Sequence, residues 1–194
     1  MMNKTPTVIL FYKPFGVLSQ FTSKEGRPCL KDFGPFPPDV YPAGRLDADS
    51  EGLLVLTDDA ELAHSLTDPR FHHPKSYAVQ VEGIPEEPAL IRLRQGVLIK
   101  KTRTRPALVE RLEGEPALPP RPVPIRYRRS IPTSWMTITI TEGRNRQVRH
   151  MTAAAGHPTL RLVRIRIGQV GIGTLQPGEY RRLNAEEVKL LKTA

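Results

Sequence analysis

One cysteine stands among the 194 residues. A single thiol excludes an internal disulfide and a cysteine-based zinc site, so Cys29 is expected to pack as a small apolar side chain. Long apolar runs are absent too: none approaches the ~18 residues that a membrane span needs. The N-terminal "MMNKTPTVILFYKP" meets Pro14 before any signal-peptide pattern develops. These absences lead us to expect a cytoplasmic protein without a membrane partner. Lysine is missing from one place in particular. Between Arg121 and Arg166 lie ten arginines, no lysine and a single acid, Glu142, while the rest of the chain holds 19 basic and 19 acidic side chains that cancel. The formal charge of +9 is therefore local. A field of arginines favours a polyanion recognised through forked hydrogen bonds and stacking, which suits phosphates and unstacked bases.

What is abundant is proline, at twenty residues, about double the usual share and a sign of long loops. A hydrophobic content of 39% is ordinary for a globular domain of this length, which can bury a core without staples. "TVILFYKP" (7–14), "GLLVLT" (52–57), "KSYAVQVEG" (75–83), the stretch around "RPALVERL", "WMTITITEG" (135–143) and "TLRLVRIRIG" (159–168) read as strands. "GLLVLT", apolar on both faces, reads as buried. In "KSYAVQVEG", Tyr77, Val79 and Val81 share one face. Helices are expected over "DAELAHSLTDP", capped by Asp58 or Asp59 and stopped at Asp68-Pro69, over "EEPALIRLRQG" closed by Gly96, and over "NAEEVKLLK". A further helix, "NRQVRHMTAAAG", is expected to start at an Asn145 cap and end at Gly156. Between Gly114 and Ser134 six prolines leave a long loop without period. Strands separated by single helices and long loops, without a strict βαβ rhythm, argue for an α+β fold with a mixed sheet.

Two constellations could carry chemistry. In "AGRLDADSEGLLVLTDD" (43–59), Gly44 and Gly52 bracket an acidic segment, and Arg45 and Asp47, two apart, project together from an extended strand end. An arginine near a carboxylate favours its ionised form, and an ionised carboxylate is a competent nucleophile. Taken alone, the stretch reads better as an Asx turn with an ordinary surface ion pair. Asp47, Asp49 and Glu51 lack the ligand series of a calcium loop, and His72 and His73 are adjacent rather than helically spaced, so no metal site is expected. On the helix after Asn145, Arg146, Arg149 and His150 share one face while Val148, Met151 and Ala155 share another that should meet the core. Arg144 and Arg146 at its start oppose the helix dipole, a placement that suits a bound phosphate.

"FYKPFGVLSQF", "GRLDADSEGLLVLT", "KSYAVQVEG" and "EGRNRQVRHMTAAAGHPTLRLVRIRIG", in that order from about residue 8 to residue 182, resemble the RsuA/RluE family of RNA pseudouridine synthases. The resemblance implies that family's fold, a mixed, largely antiparallel sheet flanked by helices and long loops. It also implies a single catalytic domain over 1–194, with room for two lobes and without the N-terminal S4 domain that many RsuA-type relatives carry. The implied reaction is the isomerisation of a uridine in 23S ribosomal RNA, naked or in an assembling particle, by a monomer that needs no cofactor. Asp47 of "GRLD" is the implied nucleophile, attacking either the uracil or the ribose anomeric carbon. Tyr77 of the K-x-Y strand is the implied active-site tyrosine and Arg149 the basic partner. Leu162, in a run that also holds Leu160 and Val163, is the implied base-packing residue. Arg45 could fill the gap left by a flipped uridine. Arg126, Arg128 and Arg129 of the proline-rich loop, with Arg144 and Arg146, are the expected RNA anchors. Asp49 and Glu51 are expected to be turn and capping residues.

A non-catalytic RNA-binding or ribosome-assembly protein would use the same basic surface but has no use for an acid within it. A glycoside hydrolase would need a second carboxylate across a sugar cleft, and none is convincing. With no ligand cluster in view, pseudouridine formation on a folded RNA fragment is expected to survive EDTA. The check is turnover with and without chelator on a fragment whose structure is monitored separately; loss of turnover in an intact fragment would contradict metal-free chemistry.

Overall fold

The computed structural model describes residues 6–125 and 130–193. In chain order these residues form β1 (Val8–Lys13), β2 (Tyr41–Pro42), β3 (Glu51–Thr57), α1 (Ala60–Thr67), β4 (Lys75–Glu82), α2 (Glu87–Gln95), β5 (Leu98–Ile99) and β6 (Thr102–Arg103). There follow β7 (Leu108–Arg111), β8 (Thr133–Ile140), α3 (Gln147–Ala154), β9 (Thr159–Ile167), β10 (Val170–Gly171), β11 (Tyr180–Arg182) and α4 (Ala185–Lys192). The class is α+β, as the order of strands and single helices predicts. Among the described residues no helix is long and apolar enough to cross a membrane. Two compact units are present, one built from the residues up to His73 and those from Arg166 on, the other from Pro74–Ile165.

In the first unit β1 pairs antiparallel with β3 from Val8↔Thr57 to Lys13↔Gly52, and with β11 through Ile9↔Arg182. All residues of β1 and β3 are buried, which is why "GLLVLT" is apolar on both faces. On one face Ile9, Phe11, Leu54 and Leu56 meet Leu30 and Val40, and Phe21, Phe33, Phe36 and Tyr180 close over them. Such side chains contribute about 1.5 to 3 kcal/mol each on burial, enough to hold a two-strand centre in place. Cys29 is buried, as expected. Helix α1 packs on β3 and α4. Its cap is Asp59, which accepts from the Leu62 N–H at 2.9 Å, while Asp58 accepts from the Thr7 N–H at 2.7 Å and ties the helix entry to the start of β1. Asn184 and Glu187 form a reciprocal capping box at the start of α4.

In the second unit β9, β4, β8 and β7 lie side by side in that order. Strands β4 and β8 pair antiparallel over their full lengths, setting Tyr77 opposite Ile138 and Val79 opposite Met136. Tyr77, Val79 and Val81 are buried together, as their alternation predicts. β8 begins at Thr133, inside the stretch expected to be loop, because Thr133 and Ser134 pair with Glu82 and Val81. Helix α2 packs on β7, and the Arg94 Nε donates to the Val109 carbonyl at 2.9 Å.

The start of α3 differs from expectation. Asn145 does not cap it; the helix begins at Gln147, and the cap position is held by Arg146 in a left-handed conformation, φ 51°. The cause is a side chain with a stronger claim. Gln147 is buried, accepts from the Arg144 N–H at 3.0 Å and donates to Glu142 at 2.7 Å, so the preceding residues loop around it. Val148, Met151 and Ala155 do face the core.

A ribbon of β5 and β6 was not foreseen, since each strand has two residues and the turn between them, Lys100-Lys101, carries no glycine or asparagine. Both lysines are left-handed, φ 46° and 67°, at a cost on the order of 1 to 2 kcal/mol each. The ribbon's base is latched by Thr104, whose N–H donates to the Val97 carbonyl at 2.9 Å and whose Oγ1 accepts from the Val97 N–H at 3.0 Å. Gly96, at φ 85°, passes under that latch; a Cβ there would lie 2.3 Å from the Thr104 carbonyl oxygen. Gly96→Ala is therefore expected to destabilise the protein by more than about 2 kcal/mol, read as a lower midpoint in urea denaturation.

Candidate active-site residues

Asp47 sits on a loop of the first unit that is held on both sides. The residue before it, Leu46, is buried; its N–H donates to Ser19 Oγ at 3.0 Å, and the same hydroxyl donates to the Leu46 carbonyl at 2.8 Å. The residue after it, Ala48, accepts from the Gly16 N–H at 2.7 Å. The Asp47 carbonyl closes a turn with the Ser50 N–H at 3.0 Å. With Leu46 turned in, Arg45 is exposed and Asp47 half-buried. Lys13, at the end of β1, is fully buried, and its ammonium donates to the Pro14 and Val17 carbonyls at 2.8 Å each. A buried ammonium is tolerated only when hydrogen-bonded, so Lys13 ties down the same segment, Pro14 to Ser19, that supports the aspartate. The motif "FYKPFGVLSQF" thus has a physical meaning. Asp49 is half-buried beside the turn, whereas Glu51 is not a turn residue: it is buried as the first residue of β3. The hydrophobic strand that follows draws it inside.

Tyr77, Arg149 and Leu162 belong to the second unit. Tyr77 is buried on β4, the neighbour of β9, which carries Leu162. Leu162 and Val163 are buried and Leu160 half-buried. Arg149, half-buried on α3, donates from Nη1 to the Thr159 carbonyl at 3.4 Å, and Thr152 and Thr159 share a hydroxyl contact of 2.7 Å. The helix thereby docks on the first residue of β9. Arg144 and Arg146 are exposed in the loop before α3, outside its first turn. Arg126, Arg128 and Arg129 lie outside the described residues. Among the described residues no group of three or more His, Cys, Asp or Glu side chains is placed to hold a metal ion.

Several polar residues of consequence were passed over in the sequence. Arg161 and Arg164 of β9 are buried, and Arg161 donates from Nη2 to the Pro119 carbonyl at 2.7 Å, fastening the proline-rich stretch. Glu142, 5% exposed, is a hub: it accepts from the Arg105 N–H at 2.9 Å and the Gln147 amide at 2.7 Å, and pairs with Arg144 at 3.1 Å. A lone acid among ten arginines was its signal in the sequence. Lys75, two residues before Tyr77, has its pKa lowered to about 8, first by desolvation and then by the charge of Arg164.

A model of RNA pseudouridylate synthase matches residues 7–154. The chain belongs to the RNA pseudouridylate synthase family. It is therefore an isomerase that acts on RNA. It is 55% identical over 184 residues to "Ribosomal large subunit pseudouridine synthase E" of Xanthomonas campestris pv. campestris, covering 94% of this chain and 98% of that one. A protein of the same name from Xanthomonas axonopodis pv. citri is 56% identical over 172 residues, covering 88% and 90%. A crystal structure of a pseudouridylate synthase superposes with a TM-score of 0.79 at 30% identity, covering 98% of this chain and 76% of that one. The fold expected from the motifs is thus the fold observed.

The half-buried Lys75 makes a prediction about stability. Because the folded pKa of Lys75 is about 8 and its ordinary value 10.5, the unfolded chain binds that proton more tightly between these values. Charged Lys75 costs stability below pH 8, and the cost is relieved as the pH rises from about 8 toward 10.5. Unfolding free energies of wild type and Lys75→Met, measured in urea at pH 7 and pH 10, should show wild type gaining on the variant at the higher pH by about 1 to 3 kcal/mol. An unchanged difference would refute the shift.

Proposed function

We propose that the chain converts uridine to pseudouridine in large-subunit ribosomal RNA, with Asp47 as nucleophile. The observation that carries the substrate is the 55% identity to a large-subunit enzyme across nearly the full length of both chains. The nucleophile is supported by the match of "GRLD" to the family motif and by the doubly held loop, which would fix the carboxylate against a reacting carbon.

The reaction breaks the bond between ribose C1′ and uracil N1, turns the ring, and joins C1′ to C5. The C5 proton is lost and N1 gains one, so the exchange is an isomerisation without redox change or external energy. Asp47 would add to the base or to C1′ and leave again when the new bond forms. Tyr77 would lie against the base, Leu162 would pack on it, and Arg149 would serve as the basic partner of the aspartate. The target must leave its stack first, at a cost of a few kcal/mol, and Arg45 beside the nucleophile could occupy the vacated space. Arg144 and Arg146, with Arg126, Arg128 and Arg129, would take phosphates, leaving choice of site to the shape of the RNA. The protein would work as a cytoplasmic monomer on rRNA or on an assembling particle.

Asp47→Asn changes one half-buried charge on a loop held by its neighbours' backbone. It should fold, bind an rRNA fragment and form no pseudouridine, and Asp49→Asn should stay substantially active. Cells lacking the protein should lose one pseudouridine from large-subunit rRNA. Turnover by Asp47→Asn above trace level would remove the nucleophile assignment, and an intact modification map would remove the substrate.

A further inference from the structure

The turn between β5 and β6 is built against local preference. Two-residue hairpin turns of this hand need φ above zero at both central positions and favour Asn-Gly or Asp-Gly. Here Lys100 and Lys101 occupy both positions, at φ 46° and 67°, with their side chains exposed. Strain of this kind persists where the surrounding structure over-determines it and something is gained by keeping it. What two lysines supply that Asn-Gly does not is a pair of positive charges at the tip of a short ribbon.

The surroundings of that tip are cationic as well. Arg103 follows on β6 and is exposed, and its carbonyl accepts from Arg144 Nη2 at 3.1 Å, joining the ribbon to the loop that bears Arg144 and Arg146. Helix α3 abuts β5. Lys100, Lys101, Arg103, Arg144 and Arg146 thus stand on joined segments of the second unit. The acid among these segments, Glu142, is buried and already engaged by Arg144, Gln147 and the Arg105 N–H. Among the described residues, Lys100 and Lys101 make no ion pair. Solubility would be served equally by charges on unstrained positions.

We propose that the β5–β6 ribbon is a phosphate clamp for the RNA substrate, with Lys100 and Lys101 at its tip and Arg103 at its edge, extending the surface begun by Arg144 and Arg146. The ligand is the RNA backbone, contacted through phosphates on the same unit that carries Arg149. This rests on the proposed RNA substrate and adds a contact that no loop arginine provides, on a paired and latched ribbon rather than a long loop. Because phosphates carry no sequence, the clamp strengthens binding to any RNA of suitable fold and lets other residues choose the site.

Two double variants separate charge from strain. Lys100→Asn with Lys101→Gly removes both charges and relieves the turn; Lys100→Gln with Lys101→Gln removes the charges and keeps the strain. Binding is measured by fluorescence anisotropy across 50 to 300 mM salt, with a large-subunit rRNA stem-loop and an unrelated stem-loop of equal length. Both variants should bind both RNAs on the order of tenfold more weakly at 0.15 M salt, with the salt slope flatter by about 0.7 to 0.9 log unit per lost contact. The Asn-Gly variant alone should show a raised melting temperature, which verifies the turn and that the weaker binding is not unfolding. Wild-type affinity with an unchanged slope in the Gln-Gln variant would overturn the clamp, and so would a loss confined to one of the two RNAs, since that would be base reading. The readout is equilibrium binding, so a fragment that is bound but not isomerised would count against the proposed reaction and leave the clamp standing.

Discussion

A single buried carboxylate organises the basic half of this molecule. Glu142 sits amid arginines, and a carboxylate taken out of water must be answered by donors. The donors it takes come from three segments: the Arg105 N–H beyond β6, the Gln147 amide at the start of α3, and the Arg144 guanidinium between them. Each answer has a structural consequence. Gln147 is drawn inward and sets where the helix starts; Arg144 is held so that its Nη2 also reaches the Arg103 carbonyl and carries the ribbon with it. Removing the acid would leave mutually repelling cations with no reason to share one surface.

The first unit uses the same physics in a different form. Lys13 is a buried cation answered by two carbonyls, and Ser19 is a buried hydroxyl that both donates to and accepts from one residue's backbone. These bonds fix Leu46, the neighbour of Asp47, and the segment 14–19 that also holds Ala48. The proposed role of Asp47 gains from this arrangement, because the backbone on either side of it is fixed by hydrogen bonds. The cost is an ammonium and a hydroxyl taken out of water, tolerated because both are hydrogen-bonded to backbone.

Much of the scaffold was legible in the amino-acid order. The strands Val8–Lys13, Glu51–Thr57 and Lys75–Glu82 and the helices with Asp59 and Asn184 caps follow from period and capping chemistry, which act within a few residues. The helix at Gln147 was readable as a helix but not in its first turn. Asn145 is the better local cap, and it lost to a glutamine whose partner, Glu142, lies outside the helix. The β5–β6 ribbon escaped notice for the converse reason: its turn residues are poor ones, and only the latch at Thr104 and Val97 makes them fold that way.

The sequence by itself determined the class, the two-sided burial of "GLLVLT", the family motifs with Asp47, Tyr77 and Arg149 in order, and a basic field confined to one stretch. These are properties of neighbours along the chain, where alternation, capping and charge density can be read directly. Only the tertiary structure decided that Glu51, Lys13, Arg161 and Arg164 are inside, that Lys75 loses proton affinity beside Arg164, and that Lys100 and Lys101 stand at a strained tip joined to Arg144. The physical reason is that the cost of burying a charge, or of holding a left-handed lysine, is met by hydrogen bonds and packing from residues far away in the chain. No local pattern records those partners.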